Sequence, residues 1–387
     1  MRVLRRRLVL LLSLPLTLTL LFLLYLHRLQ LPPQNAHFRR PSPTPSELLS
    51  LRNSSSKYAL FHQLRGAGFN NQLQESLLLS WIAKRAGRAY VYRDVIWRPR
   101  GYEQVPLEEF VQSLTEQPAL HEEAFKRLCD GQKILRAIDG RYPFPERVER
   151  VIQDLQGDEQ CAYVEGRIMD WPFLDSPAAL ALYEPFLSYI RDFRWSPWVL
   201  EVHARAVGKL GLGEGYIALH IRRGDFSYHC PQIAAQGASF NLWSRLPFLP
   251  DTPPHPLSPS TILTHCWPSF GDMLLQIWAA QNQYEQRTGK KLRKVYVLHD
   301  AKWDAPWVWI LLRRLQFSLS GGPFRLQWVE GGSLPLTWEE RDLAVPVDME
   351  IARRAEVFLG NGFSSLTSGV VLFRLADGKE WESNKFW

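Results

Sequence analysis

From residue 196 onward the hydrophobic period switches repeatedly between 3.6 and two residues, and no other feature of this 387-residue chain restricts its fold as much. A helical pattern from Trp198 to Leu210 leads into a strand-forming run, Y-I-A-L-H-I-R-R-G-D-F at 216–226. Next come a helix from Phe270 to Gly289, closed by its glycine, and a strand from Lys294 to Leu298. A helix from Pro306 to Leu319, a strand from Phe324 to Val329 and a helix from Pro346 to Ala355 continue the series. The strand Val357 to Leu359 and a last helix end it. Strands and helices alternating in this way build parallel sheets with helices on their faces. The pattern also appears earlier: strand Tyr58–Leu64, glycine-rich turn Arg65–Asn71, helix Asn70–Ala86, strand Arg88–Arg93. That turn is G-x-G-x-x-N rather than G-x-G-x-x-G, and Asp94 falls somewhat beyond the offset of about 20 residues in a dinucleotide-binding unit. Residues from roughly 100 to 195 are harder to parse; Glu146–Gln156 and Ala178–Phe193 read as helices and no chemistry attaches to them. The fold expected is α/β and consists of two Rossmann-like domains facing a cleft, one over 58–195 and the other over 196–387.

The N-terminus carries its own message. Leu8–Leu26 is an uncharged apolar run of 19 residues with Arg5, Arg6 and Arg7 just before it, close to the length of a bilayer crossing. The positive-inside rule leaves residues 1–7 cytosolic and the remainder luminal. A cleaved signal peptide is the rival, but no small-x-small cleavage site follows at His27, Arg28 or Leu29. Residues 8–26 are therefore read as a type II signal anchor of the endoplasmic reticulum or Golgi, and the proline- and serine-rich stretch 27–57 as a stem. Seven of the 46 basic residues precede the first acid, Glu47, and the rest balance the 39 acidic ones. The folded part is near neutral, which argues against a nucleic-acid footprint.

Four cysteines, Cys129, Cys161, Cys230 and Cys266, suit an oxidising lumen. Sequential pairing is the simplest of the three connectivities, and the spacings match no zinc template. Asn53 opens an N-S-S glycosylation acceptor.

Three features meet the needs of a nucleotide-diphosphate site. Arg222 closes a buried strand, and its planar fork can hold a phosphate bidentately. The turn G-N-G-F-S-S-L-T at 360–367 offers glycines, hydroxyls and the free N–H groups of a helix start. Asp300 follows one strand and Asp348 opens a helix; either carboxylate can accept the paired N–H donors of a guanine edge. Blander roles stand beside these: an Arg222–Asp225 ion pair, a simple helix cap at Ser364, a core histidine at His220. Arg223-Gly224-Asp225 spells an adhesion tripeptide but ends a buried strand. The chain contains no D-x-D carboxylate pair for Mg²⁺ or Mn²⁺, so arginine and a helix N-terminus are expected to neutralise the diphosphate without metal. The proline-rich stretch from Cys230 to Pro268 is long for a compact domain and is a candidate acceptor-facing insertion.

Together, H-I-R-R-G-D-F at 220–226, F-L-G-N-G-F-S-S-L-T at 358–367 and R-G-A-G-F-N-N-Q at 65–72 resemble the GDP-fucose fucosyltransferase superfamily, especially its protein O-fucosyltransferase-like branch. The resemblance spans about residues 58–375, with the middle third unmatched. It implies a GT-B fold, with an acceptor-facing N-terminal domain and a donor-binding C-terminal domain. It places Arg222 on the β-phosphate, Asp348 on guanine and Ser364, Ser365 and Thr367 around the diphosphate. The donor site would then gather Gly66, Gly68, Phe69, Asn70, Asn71, His220, Arg222, Asp300, Asp348, Gly360, Asn361, Phe363, Ser364, Ser365 and Thr367. Arg222 and Asn70 take the catalytic roles, with Asn70 orienting acceptor or diphosphate. Where some members carry a catalytic glutamate in the glycine loop, this chain has Phe69, Asn70 and Asn71. The implied activity is inverting, metal-independent transfer of fucose from GDP-fucose to a hydroxyl of a secretory acceptor, protein Ser/Thr first. Another nucleotide sugar, a glycan acceptor, or a catalytically silent luminal sugar-binding protein are the alternatives.

Overall fold

The computed structural model describes residues 43–387 apart from 65, 98–102, 115–119, 132–133, 138–145, 171–172, 175, 255, 301–304, 319–326 and 331–333. The expected cytosolic tail, anchor and most of the stem lie outside the described residues, as does Arg65. No helix among the described residues is long and apolar enough to cross a membrane.

In the N-terminal half the elements run α1 (Pro45–Arg52), β1 (Tyr58–Phe61), α2 (Phe69–Arg85), β2 (Ala89–Tyr92), β3 (Val95–Trp97), β4 (Glu103–Val105), β5 (Val111–Ser113), β6 (Leu120–His121), α3 (Glu122–Leu128), β7 (Ile134–Ala137), α4 (Arg147–Asp154), β8 (Cys161–Val164), α5 (Pro177–Leu180), α6 (Tyr183–Ile190) and β9 (Arg194–Trp195). The C-terminal half continues α7 (Pro197–Leu210), β10 (Ile217–Ile221), α8 (Phe226–Ala235), α9 (Pro259–Cys266), α10 (Phe270–Thr288), β11 (Lys294–His299), α11 (Ala305–Ser318), β12 (Gln327–Glu330), α12 (Ala344–Arg354), β13 (Val357–Gly360), α13 (Ser365–Ala376) and β14 (Asn384–Phe386). Each half holds a five-stranded sheet, ordered β6-β2-β1-β8-β7 and β12-β11-β10-β13-β14. Every pairing within these two sheets is parallel. The α/β architecture expected from the sequence is present, with one parallel sheet in each half.

Local chemistry explains the helix limits. Ser196 caps α7 by accepting from the Val199 N–H at 3.2 Å, Pro197 takes the first helical position, and Gly211 closes it at φ 63°. Helix α10 opens with a Ser269/Asp272 capping box and ends at Gly289, φ 68°. The region Ala178–Phe193 forms two helices instead of one. Pro185 stands in the first turn of α6, where its missing N–H is harmless, whereas in the middle of a continuous helix it would break the ladder. Part of the stretch 27–57 is regular structure. Thr44 and Glu47 form a capping box with Pro45 between them, so α1 is helical. Arg52 at its end donates to the carbonyls of Leu128 (3.2 Å) and Arg127 (3.1 Å), docking α1 on the domain.

Both cysteine pairings are sequential: Cys129 with Cys161, Cα atoms 6.1 Å apart, and Cys230 with Cys266, 5.8 Å apart. The stretch 230–268 is partly helical: α8 runs through Pro231, and α9 is tied to α8 by the second disulfide.

The alternation along β10 holds. Ile217, Leu219 and Ile221 enter a core with Met273, Ile277 and Val308, while Ala218 enters a second core on the opposite face. That second core is continuous through both halves, joining Phe69, Leu73 and Leu77 of α2 to Val370, Val371 and Phe373 of α13. Trp97 and Trp195 reinforce it by donating from their indoles to Asp342 (2.6 Å) and Glu350 (3.0 Å).

Arg374, fully buried in α13, donates to Asn384 Oδ1 (2.7 Å), to the Ser383 hydroxyl (2.7 Å) and to the Ala355 carbonyl (2.5 Å). Burial lowers its pKa to about 10, which leaves it charged at neutral pH. Arg374→Met would strand these acceptors in a dry interior and is expected to reduce unfolding free energy by about 3 kcal/mol, with an unchanged m-value in urea. A loss below about 0.5 kcal/mol would show that β14 and the end of α12 do not depend on it.

Candidate functional site

The parallel register of the second sheet aligns the carboxyl ends of its three central strands. Ile217 to Ile221 pair with Val295 to His299 on one side, and Ile217 to Leu219 with Val357 to Leu359 on the other. Arg222, Asp300 and the 361–364 turn therefore leave the sheet along one edge, the place where open α/β sheets bind ligands.

Arg222 is part-exposed and held by two carboxylates. One guanidinium nitrogen donates to Asp300 Oδ2, and the other lies 2.7 Å from Asp225 Oδ1. Asp300 also accepts the backbone N–H groups of Arg223 (2.9 Å) and Gly224 (3.1 Å). Gly224 permits this approach, because a Cβ there would stand 2.9 Å from Asp300 Cγ. Asp300, expected as a guanine acceptor, clasps the Arg222 turn in this structure. The Arg222–Asp225 pair expected as the bland reading is present too. Arg223 leaves on the opposite side, its guanidinium 3.6 Å from the Trp267 ring centroid and 4.1 Å from that of Trp307.

His220 is buried. Its Nδ1 shares a 2.8 Å hydrogen bond with the Thr367 hydroxyl, and its carbonyl accepts the Trp387 indole N–H at 2.9 Å. Burial and the neighbouring Arg222 lower its pKa to about 3. It is a neutral strut between β10 and α13.

The 360–367 turn is built by close approach. A Cβ on Gly360 would lie 2.5 Å from Thr367 Cγ2, and one on Gly362 would lie 2.6 Å from Phe240 Cγ. Asn361 donates to the Cys266 carbonyl (2.8 Å) and accepts from the Phe363 N–H (3.1 Å). The disulfide-tied segment thus braces the turn. Ser364 is the N-cap of α13 with no side-chain cap bond, and Ser365 begins the helix. The first N–H groups of α13 accordingly lack intrahelical acceptors, the usual setting for an anion. Thr367 and Asn361 spend their side chains on the fold.

Asp348 sits part-buried in α12 and accepts the Tyr296 hydroxyl. Burial raises its pKa to about 7, against the lowering effect of that hydrogen bond.

In the N-terminal half, Gly66 adopts φ 79°, and Gly68 caps α2. The Phe69 ring, expected at the donor site, packs in the core on Phe110 (5.0 Å), Trp97 (5.4 Å) and Trp195 (6.4 Å). Asn71 donates its backbone N–H to the Gly68 carbonyl (3.0 Å). Asn70 keeps a buried Oδ1 without a hydrogen-bond partner among the described residues.

Two residues invisible to sequence reasoning complete the picture. Gln74 joins α2 to α13, donating to the Ser365 carbonyl (2.8 Å) and accepting from the Ser368 hydroxyl (3.2 Å). Glu75 is buried, accepts the Leu64 N–H (2.8 Å) and meets Arg167 Nε at 3.3 Å. It lines a small polar pocket with Gln63, Gln72, Ser76, Arg93 and Asp94. Burial raises its pKa, opposed by the Leu64 N–H and Arg167. No group of His, Cys, Asp and Glu among the described residues is arranged to hold a metal ion.

No family model matches the sequence, and no curated protein matches it. Solved structures do. The fold is similar to that of POFUT1 in complex with GDP-fucose, at TM-score 0.57 and 16% identity in one crystal form and 0.55 and 16% in another. In both, the match covers 86% of this chain and 98% of the other. POFUT1 in complex with GDP matches at TM-score 0.54 and 15% identity, over 86% and 99% of the two chains. The α/β architecture is therefore of the kind seen in that fucosyltransferase.

The glycines separate steric need from convenience. Gly360→Ala is expected to lower stability by about 1–3 kcal/mol through the Thr367 clash. Gly68→Ala, with nothing within 4 Å of the added Cβ, should change it by less than about 1 kcal/mol. Equal effects in urea unfolding would contradict this account of the turn.

Proposed function

We propose that the chain is a glycosyltransferase that moves fucose from GDP-fucose to a hydroxyl group, with inversion and without a metal ion. The observation that carries this reading is the convergence of Arg222 and the uncapped start of α13 on one sheet edge, in a fold that POFUT1 shows with GDP-fucose bound.

In this reading the acceptor oxygen bonds to the anomeric carbon from the face opposite the diphosphate, the carbon–phosphate-oxygen bond breaks, and the acceptor's hydroxyl proton passes to solvent water. Negative charge grows on the departing β-phosphate, where Arg222 and the N–H groups of α13 stabilise it. Arg222 exchanges its more exposed partner, Asp225, for phosphate, and Asp300, bound to the backbone, keeps aiming it. Asp348 accepts the guanine edge. Asn70, whose Oδ1 has no hydrogen-bond partner among the described residues, orients the acceptor hydroxyl. A protein Ser/Thr acceptor in the secretory lumen fits the two disulfides, the exposed Asn53 acceptor site and the apolar segment 8–26 as a type II anchor.

Mass spectrometry tests the reaction directly: a secretory-protein acceptor pool incubated with GDP-fucose gains deoxyhexose, also in excess EDTA, and UDP-sugars do not substitute. Arg222→Ala is expected to lower turnover at least tenfold, about 1.4 kcal/mol of transition-state stabilisation. A change within about threefold would remove the phosphate-clamp assignment.

The raised Asp348 pKa makes a separate prediction. The free protein holds this carboxyl partly protonated near neutrality, whereas guanine recognition needs the carboxylate. GDP binding should therefore release a proton, and affinity should fall as pH drops below about 7. Calorimetry in buffers of different ionisation enthalpy reads this release, and Asp348→Asn should abolish it. Affinity that is flat between about pH 6 and 8 would exclude Asp348 from the guanine site.

A further inference from the structure

Helix α2 is buried on nearly every side: 13 of its 17 residues are buried, Gln72, Gln74, Glu75 and Ser76 among them. Polar side chains in such a helix need specific partners. Gln72 finds them within its own half, donating to the Ala67 carbonyl (2.7 Å) and pairing with both backbone groups of Ile96 (2.9 Å each). Gln74 faces the other way and finds its partners in the second half of the chain, at the first turn of α13. The Ser368 hydroxyl that it accepts from is itself fixed by the Trp243 N–H at 3.1 Å.

The location matters more than the number of bonds. Asn70 and Asn71 lie one helical turn before Gln74, and its partners lie within one turn of Ser364 and Ser365. Apolar packing between α2 and α13 does not by itself fix their axial register. Two directional bonds at the adjoining ends do.

We infer that Gln74 is a positioning residue that holds the glycine turn 66–71 in register with the anion-binding start of α13, so that transfer, rather than donor binding, depends on it. The catalytic part rests on the fucosyl-transfer reading above; the register lock does not.

Gln74→Met keeps the volume and helix propensity and removes both bonds. It is expected to leave the dissociation constant for GDP within about threefold and the KM for GDP-fucose unchanged, while kcat falls at least about tenfold. Ser368→Ala should lower kcat less, and the double variant should be no worse than Gln74→Met alone, because both act through one contact. A lower melting temperature with kcat retained well below it would overturn the inference and leave Gln74 as packing only.

Amide exchange on the ligand-free protein judges the lock separately. Gln74→Met should accelerate exchange at 364–369, and Ser368→Ala should accelerate it at 66–74. Acceleration confined to the mutated side would refute the lock whatever the donor proves to be. If the wild-type protein turns over no GDP-fucose, the functional reading fails, and the exchange result still decides whether the two helices are coupled.

Discussion

The structure depends on a helix that has no solvent face of its own. Because α2 is enclosed by the first sheet and by α13, each polar group on it either meets a partner or is left with a desolvation cost on the order of 1–3 kcal/mol. Gln72 answers within the N-terminal half, Gln74 across to α13, and Glu75 through the Leu64 N–H and Arg167. These contacts determine where the glycine turn ends and how it meets the second sheet. The continuous apolar core then makes the two halves one packed unit on this side, with Trp97 and Trp195 donating across it.

The second sheet supplies the charge. Asp300 gives Arg222 a fixed direction because the same carboxylate is bound by two backbone N–H groups. The Asp225 carboxylate, 2.7 Å from the other guanidinium nitrogen, has no such backbone anchor among the described residues. His220 contributes no charge; its link to Thr367 ties the strand that carries Arg222 to the helix that offers free N–H groups. Neutral and paired groups thus surround Arg222 at this sheet edge.

Much of this was legible from local rules. Alternation along 217–222 separated the faces of β10, and glycine at 289 marked the end of a helix. Sequential cysteine pairing was the simplest connectivity, and the structure has it. What was missed required partners distant in sequence. Asp300 follows its strand as a free ligand would, and only the register opposite Ile221 turns it into a clasp for Arg222. Phe69 stands in a loop-like motif, but α2 begins there and carries its ring inward. Gln74 and Glu75 lie in a run that reads as an ordinary amphipathic helix; nothing local marks a helix enclosed from the far half of the chain. Pro45 and Ser46 have the composition of a stem, but the Thr44–Glu47 capping box around them starts a helix.

The central claim is that a guanosine diphosphate binds at the Arg222 edge and the start of α13. The most direct measurement is amide hydrogen exchange across the whole protein with and without saturating GDP. The account predicts slowed exchange at 222–226 and 361–368, with the outer helices α10 and α11 unaffected. Unchanged exchange in both segments, or protection appearing only elsewhere, would contradict it.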